Sequence, residues 1–206
     1  MAALLLVDIQ NDFLPGGALA VQDGDLILPV INKLINHAFK LIIATKDWHP
    51  ANHGSFANSH GKKMSEVINL NGLEQVLWPI HCVQETQGAE FSEKWNHYKV
   101  HKIFCKGTDK DIDSYSAFFD NGHRKSTGLH EFLQSNGIKD IYIAGLATDY
   151  CVKYSVLDAL KLNYRVFVII DGCKPVNLKP NDEEIAFQEM LQEGAQLIYS
   201  SEIISN

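Results

Sequence analysis

Six short apolar runs, separated by segments of helical period, restrict what this chain can fold into more than any other feature of its sequence. Strands of a parallel sheet are covered by helices on both faces, so they read as continuous apolar runs rather than as alternations. The runs fall at residues 3–8, 41–46, 102–106, 141–144, 165–170 and 196–199. Ile27, Val30, Ile31, Leu34, Ile35 and Ala38 share one helical face after the first run, and Val152, Val156 and Leu160 make a second stripe after the fourth. Leu129, Phe132 and Leu133 precede Gly137, a helix stop, while Asn181 or Asp182 can cap a last helix ending before Gly194. The pattern predicts an α/β fold, a doubly wound and mainly parallel sheet of about six strands with helices on both faces.

No Pro/Gly/Ser-rich stretch divides the 206 residues, which predicts a single domain over residues 1–206. The net charge of −7 comes without a basic stripe, so nucleic acid is not an expected partner. The apolar runs are far shorter than a bilayer crossing needs, and no charged leader with an apolar segment opens the chain. A cytoplasmic protein with a small-molecule partner is expected, and a homo-oligomer is compatible with the sequence. Cys82, Cys105, Cys151 and Cys173 have no CxxC spacing and read as free thiols, at least one of them kept for reactivity.

In open α/β sheets the ligand crevice lies beyond the carboxyl ends of the strands. Two long irregular stretches, residues 49–78 and 107–125, follow strands and belong there as functional loops or as hosts of short elements. The strand ends present Asp8, then Asp47 and His49, then Lys106, and after the fourth run Gly145-Leu146-Ala147-Thr148-Asp149-Tyr150-Cys151. Cys151 opens a helix running to about Asn163, where free N–H groups and the macrodipole favour a thiolate. Asp8 closes an apolar strand, where it can take a thiol proton or cap a loop. Lys106 can hold that carboxylate and the thiolate in register, although most strand-end lysines are solvated surface charges.

Asp47, His49 and His53 stand within seven residues, and His81 lies in a second polar loop. Aspartate with two histidines suits zinc, iron or manganese with positions left open. A lone histidine is more often an exposed loop residue, but an Asp-x-His pair at a strand end is a sharper signal. The other six histidines show no such spacing.

The sequence resembles the nicotinamidases, or pyrazinamidases, of the isochorismatase-like cysteine hydrolase superfamily over nearly its whole length. The resemblance is carried by Val7-Asp8-Ile9-Gln10-Asn11-Asp12-Phe13, by Asp47-Trp48-His49-Pro50 through His53-Gly54-Ser55-Phe56-Ala57, by Trp78-Pro79 with His81-Cys82-Val83, by Lys106-Gly107, and by Gly145 through Cys151. It implies a Cys–Asp–Lys triad in which Cys151 is the nucleophile, Asp8 the general base and acid, and Lys106 the third member. It implies one divalent metal ion on Asp47, His49 and His81, with His53 a further candidate because its equivalent ligates metal in some members. It also implies Phe13 and Trp78 as aromatic walls for a flat pyridine ring, and a cis Leu146–Ala147 peptide beside an oxyanion hole of the Ala147 and Cys151 N–H groups. The expected reaction is hydrolysis of nicotinamide in NAD salvage, with pyrazinamide as a second substrate.

Three alternatives compete with this reading. Of the other hydrolases of the same superfamily, an isochorismatase generally lacks the nucleophilic cysteine and an N-carbamoyl amidase the Asp-x-His and downstream His. A catalytically silent binding member would not need Asp8, Lys106 and Cys151 intact. A thiol redox protein would need a second cysteine at resolving distance, which this chain lacks.

Overall fold

The computed structural model describes residues 1–36 and 39–204, so Ala38 of the first helical stripe lies outside the described residues. Its strands are β1 Ala2–Val7, β2 Ile42–Asp47, β3 Val67–Leu70, β4 Leu73–Val76, β5 Lys102–Lys106, β6 Asp140–Leu146, β7 Arg165–Lys174 and β8 Gln196–Ile198. The α-helices are α1 Leu28–Asn36, α2 Leu129–Ser135, α3 Lys153–Lys161, α4 Asp182–Gln192 and α5 Ser200–Ile204. Six strands pair in the order β5-β2-β1-β6-β7-β8, every neighbour parallel. The fold is the doubly wound α/β sheet expected from the apolar runs.

Alternation along β1 sorts the core into two layers. Ala3, Leu5 and Val7 pack on one face with Leu129 and Leu133 of α2, Val156 and Ala159 of α3, and Ala186 and Met190 of α4. Leu4 and Leu6 pack on the other with Leu28, Ile31, Leu34 and Ile35 of α1, and Ile203 and Ile204 of α5 lie against the same layer. Truncating a fully buried residue such as Leu5 to Ala would cost about 2–5 kcal/mol, the usual sum of lost transfer energy and a residual cavity. No helix of the described residues is long and apolar enough to cross a membrane.

The chain starts in the middle of the sheet, moves outward through β2 to β5, and returns to lay β6 against the other side of β1. This reversal makes a switch point between β1 and β6, where connections leave in opposite directions and open a crevice. Register fixes what meets there: Asp47 pairs with Lys106 across β2 and β5, and Val7 with Gly145 across β1 and β6.

Two local expectations are corrected, and one open alternative is decided in favour of short elements. β7 runs on to Lys174 because its pairing with β6 resumes at Gly145 and Leu146 after a register shift, so Cys173 lies within the strand. Asn181 stands at the N-cap of α4 with φ of 70°, but its side chain caps no N–H group, and the Asp182 carboxylate instead accepts the Lys179 N–H at 2.8 Å. The irregular stretch at 49–78 holds the β3–β4 hairpin, turned by Asn71 and Gly72, both at positive φ as a two-residue hairpin turn requires.

Candidate active site

At the end of β1 the backbone turns through Asp8 at φ of 49°. Thr45 of β2 fixes the side chain, its hydroxyl donating to Asp8 Oδ1 at 2.7 Å and accepting the Asp8 N–H at 3.3 Å. The Lys106 ammonium, wholly buried, lies 2.8 Å from Asp8 Oδ2 and 2.6 Å from Asp47 Oδ1, and it donates to the Ser114 carbonyl at 3.0 Å and to Cys151 Sγ at 3.3 Å. Its contact with Asp8 is off the hydrogen-bonding direction, so Oδ2 keeps no aligned donor. Acceptor oxygens of Asp8 and Asp47 and the Cys151 sulfur all lie within 4.8 Å of one another. The acid, the amine and the thiol of the sequence reading therefore occupy one buried cluster.

Charge decides the resting state of that cluster. Burial works against the Lys106 ammonium, but Asp47 and Asp8 outweigh it and hold the group charged, well above its ordinary value. Burial also pushes Asp47 upward, and there Lys106 and then His49 prevail, leaving it well below the usual carboxylate range. Asp8 comes out the other way, raised by burial despite Lys106 and with Asp47 adding to the rise. Cys151 corrects the sequence reading: burial pushes its thiol well up, Lys106 opposes this, and Asp8 and Asp47 reinforce it. The residue lies inside a π-helical turn, Thr148–Val152, ahead of α3 rather than at an α-helix start. The resting group is a thiol, and a nucleophile arises only when a base removes its proton.

Beside this cluster stand three histidines, held in two different ways. His49 Nδ1 donates to the Gly107 carbonyl and His81 Nδ1 to the Pro79 carbonyl, both at 2.8 Å. A proton on Nδ1 leaves the lone pair on Nε2, the orientation that metal-binding histidines take from an outer carbonyl. Those Nε2 atoms lie 3.6 and 3.9 Å from Asp47 Oδ2, and His49 Nε2 is buried without a hydrogen-bond partner. Burial, and then His49, lower the His81 imidazole to about 4, so it is neutral near pH 7. His53 is reversed: its Nδ1 accepts the Ser55 N–H at 3.2 Å and lies 2.7 Å from the Ser55 hydroxyl, which puts the ring proton on Nε2, itself buried without an aligned partner. Ligand atoms of Asp47, His49 and His81 come within 4.8 Å of one another, and so do those of His49, His53 and Asp113. An oxygen and two aligned imidazole nitrogens with a buried orphan lone pair fit a divalent ion. Gly107, at φ of +62°, is part of this fit, because a Cβ there would overlap the His49 ring.

Phe13, Trp78, Tyr115 and Tyr150 line one cleft together with Ala147 and Cys151. Trp78 stands edge-on to Tyr150 at 4.8 Å, and Phe13 edge-on to His81 at 5.6 Å. The Leu146–Ala147 peptide is cis, and the Ala147 carbonyl accepts the Tyr150 and Val152 N–H groups at 3.2 and 3.1 Å. Every residue singled out for chemistry in the sequence thus lies in this cleft or against it.

The isochorismatase domain pattern matches residues 2–202. The chain belongs to the isochorismatase family. Within the family it is 50% identical over 198 residues to a nicotinamidase of Escherichia coli strain K12, covering 95% of this chain and 93% of that protein. The structure of an Acinetobacter baumanii nicotinamidase/pyrazinamidase superposes with a TM-score of 0.94 at 46% identity, covering 98% of this chain and 97% of that one. A Pyrococcus horikoshii pyrazinamidase solved in complex with zinc follows at 0.76 and 40% identity, covering 96% and 98%.

Several residues of this isochorismatase-family site had no role assigned from the sequence, although Gln10 and Asp12 stand within the motif at residues 7–13. Gln10 closes a ring of bonds with β2, its amide oxygen accepting the Asp47 N–H and its amide nitrogen donating to the Asp47 carbonyl, each at 2.8 Å. Asp12 accepts the Cys82 N–H at 2.7 Å and so ties the loop bearing His81 to the end of β1. Gln75, Asp113 and Tyr115 sit inside the two stretches that had no assignable period. The Asn71-Gly72 pair was the available clue, since it flags a hairpin and hence an inward face that contains Gln75.

Proposed function

We propose that this chain is a single hydrolase domain, residues 1–206, that converts nicotinamide to nicotinic acid and ammonia through a thioester on Cys151. The observation that carries the reading is the position of the Lys106 ammonium, within 3.3 Å of the Cys151 sulfur and 2.8 Å of the Asp8 carboxylate. Asp8 takes the thiol proton at Oδ2, the oxygen without an aligned donor. The sulfur forms a bond to the carboxamide carbon, and the resulting oxyanion is bonded by the Ala147 and Cys151 N–H groups. Asp8 returns the proton to the leaving nitrogen, the C–N bond breaks and ammonia departs. Water then adds to the thioester, yielding the free acid and restoring the thiol. Lys106 stays charged throughout and offsets the negative charge that passes between sulfur and carboxylate.

Asp47, His49 and His81 hold the divalent ion in this reading, with zinc, iron and manganese all suited to the donor set. The ion supplies a Lewis acid beside the ring-binding walls. His53 is left out of the ligand set, because its Nε2 carries the proton. Phe13 and Trp78 flank a flat ring, and pyrazinamide has the same shape and carboxamide. The four free cysteines accord with a reducing cytoplasm, and turnover of nicotinamide would give the chain its place in NAD salvage.

Ammonia release by metal-replete protein, assayed with nicotinamide beside an N-carbamoyl substrate, tests the reading. Release from nicotinamide is expected. Silence with nicotinamide and turnover of the carbamoyl compound would transfer the same triad to the other amidase class.

A further inference from the structure

Gln75 belongs to the β3–β4 hairpin, outside the central sheet, and yet is only 2% exposed. A buried primary amide has two protons to place, and here three acceptors share them. Its Nε2 lies 2.7 Å from the Val76 carbonyl, 3.0 Å from Asp113 Oδ2 and 3.1 Å from the Tyr115 hydroxyl. Turned over, the amide oxygen would face a carbonyl and a carboxylate, so the orientation is fixed.

The segment that Gln75 grips reaches into every part of the site. Asp113 accepts the Ser114 N–H on its other oxygen at 2.8 Å, and ring nitrogens of His49 and His53 lie within 4.8 Å of its carboxylate. Ser114 offers its carbonyl to Lys106 at 3.0 Å. The Tyr115 hydroxyl accepts the Trp78 indole N–H at 3.1 Å, so a single oxygen joins the hairpin amide to the ring wall. Trp78, Tyr115 and Asp113 line the cleft, whereas Gln75 does not.

We propose that Gln75 is a positioning residue for substrate recognition, which sets the Tyr115 hydroxyl and through it the plane of the Trp78 indole before a flat aromatic carboxamide arrives. The inference rests on the nicotinamidase reading and adds to it a residue that touches no substrate. A wall fixed in advance spares the ligand the cost of ordering it, so the brace acts on binding. The reacting groups keep their own contacts, because Asp8 is held by Thr45 and Cys151 by Lys106.

Gln75→Met keeps the length of the side chain and deletes the amide. KM for nicotinamide is expected to rise about tenfold, the usual worth of a buried hydrogen-bond partner, with kcat within about threefold of wild type. The dissociation constant for nicotinate, measured by calorimetry, should rise in parallel. Tyr115→Phe deletes only the shared oxygen and should give a similar rise, and the double variant should be no worse than the poorer single one, since both remove the same link. A Gln75→Met protein that melts earlier but keeps wild-type KM and nicotinate affinity would overturn the proposal, and so would effects on KM that multiply in the double variant. Should Gln75→Met fail to fold, an unchanged KM in Tyr115→Phe overturns it alone. Wild-type protein that releases no ammonia but binds nicotinate would sink the parent reading and leave the brace to be judged on affinity; wild-type protein that does neither would sink both.

Discussion

The nucleophile cluster and the histidine cluster share one cleft, but they are built on different principles. Asp8 and Lys106 end strands, and Cys151 follows one within a few residues, so the order and register of the sheet bring them together. The histidines stand on loops, and their ring orientations are set one at a time by single backbone atoms: the Gly107 and Pro79 carbonyls for His49 and His81, and the Ser55 N–H for His53. A cluster fixed by a sheet is insensitive to loop sequence. One fixed by individual carbonyls and N–H groups changes its ligand set when a single proton moves from one ring nitrogen to the other. Lys106 joins the two, since its ammonium contacts Asp8 on one side and Asp47 on the other.

Substitutions can separate the halves, and the largest effect belongs to the sulfur. Cys151→Ala should lower ammonia release on the order of 10⁴-fold or more while metal content, measured by atomic absorption, stays at the wild-type level. Loss of the metal together with activity would show that the halves do not stand independently.

Asp8→Asn should lower turnover about 10³-fold, within the range for a general base. It should also speed alkylation of Cys151 by iodoacetamide at pH 8. The sign follows from the charges: the Asp8 carboxylate helps to push the thiol up, so removing it leaves Lys106 less opposed, the thiol falls, and more thiolate is present at a given pH. Slower alkylation would contradict the electrostatic account of the resting thiol.

Lys106→Met should affect both halves. It leaves two buried carboxylates without their cation, for which a loss of about 3–5 kcal/mol in urea-unfolding stability is the usual scale. Metal content should fall as well, because Asp47 loses the ammonium bonded at 2.6 Å. A variant that kept its metal and its stability would reduce Lys106 to a member of the nucleophile cluster only.

The smallest effect sharpens the distinction among the histidines. His81→Ala should weaken metal affinity by tens to about a hundredfold, a scale seen even for groups that only support ligands. His53→Ala should weaken it less, since its Nε2 carries a proton. Equal losses in competitive chelator titrations would place His53 among the ligands.

What could be read from the sequence divides along the same line. The inner strands β1, β2 and β6 were legible because burial on both faces keeps them largely apolar, the partly exposed edge strands β5 and β8 stood out only as short apolar runs, and the strand-end rule then delivered Asp8, Asp47, Lys106 and the turn leading to Cys151. The Asp-x-His pair added the metal half. The protonation of Cys151 was not legible, because it depends first on burial and then on Lys106 and two carboxylates that are distant in sequence and adjacent only once the sheet is formed. Nor were the braces: Gln10 bonds the Ala89 carbonyl 79 residues away, and Gln75 meets Asp113 across 38. Gln10 lies just beyond β1 and Gln75 on a short hairpin strand, and the partners of both exist only in three dimensions.

Gly107 follows Lys106 in the chain and gives its carbonyl to His49, and the space beside its Cα is filled by the His49 ring. Position 107 therefore serves the histidine cluster while offering it no side chain. In a saturation library it should tolerate replacement as poorly as the nucleophile does, although it meets no reacting atom. A survey of inactivating alleles would then count among the essential positions one that contributes a backbone carbonyl and a place beside its Cα left open for a neighbour.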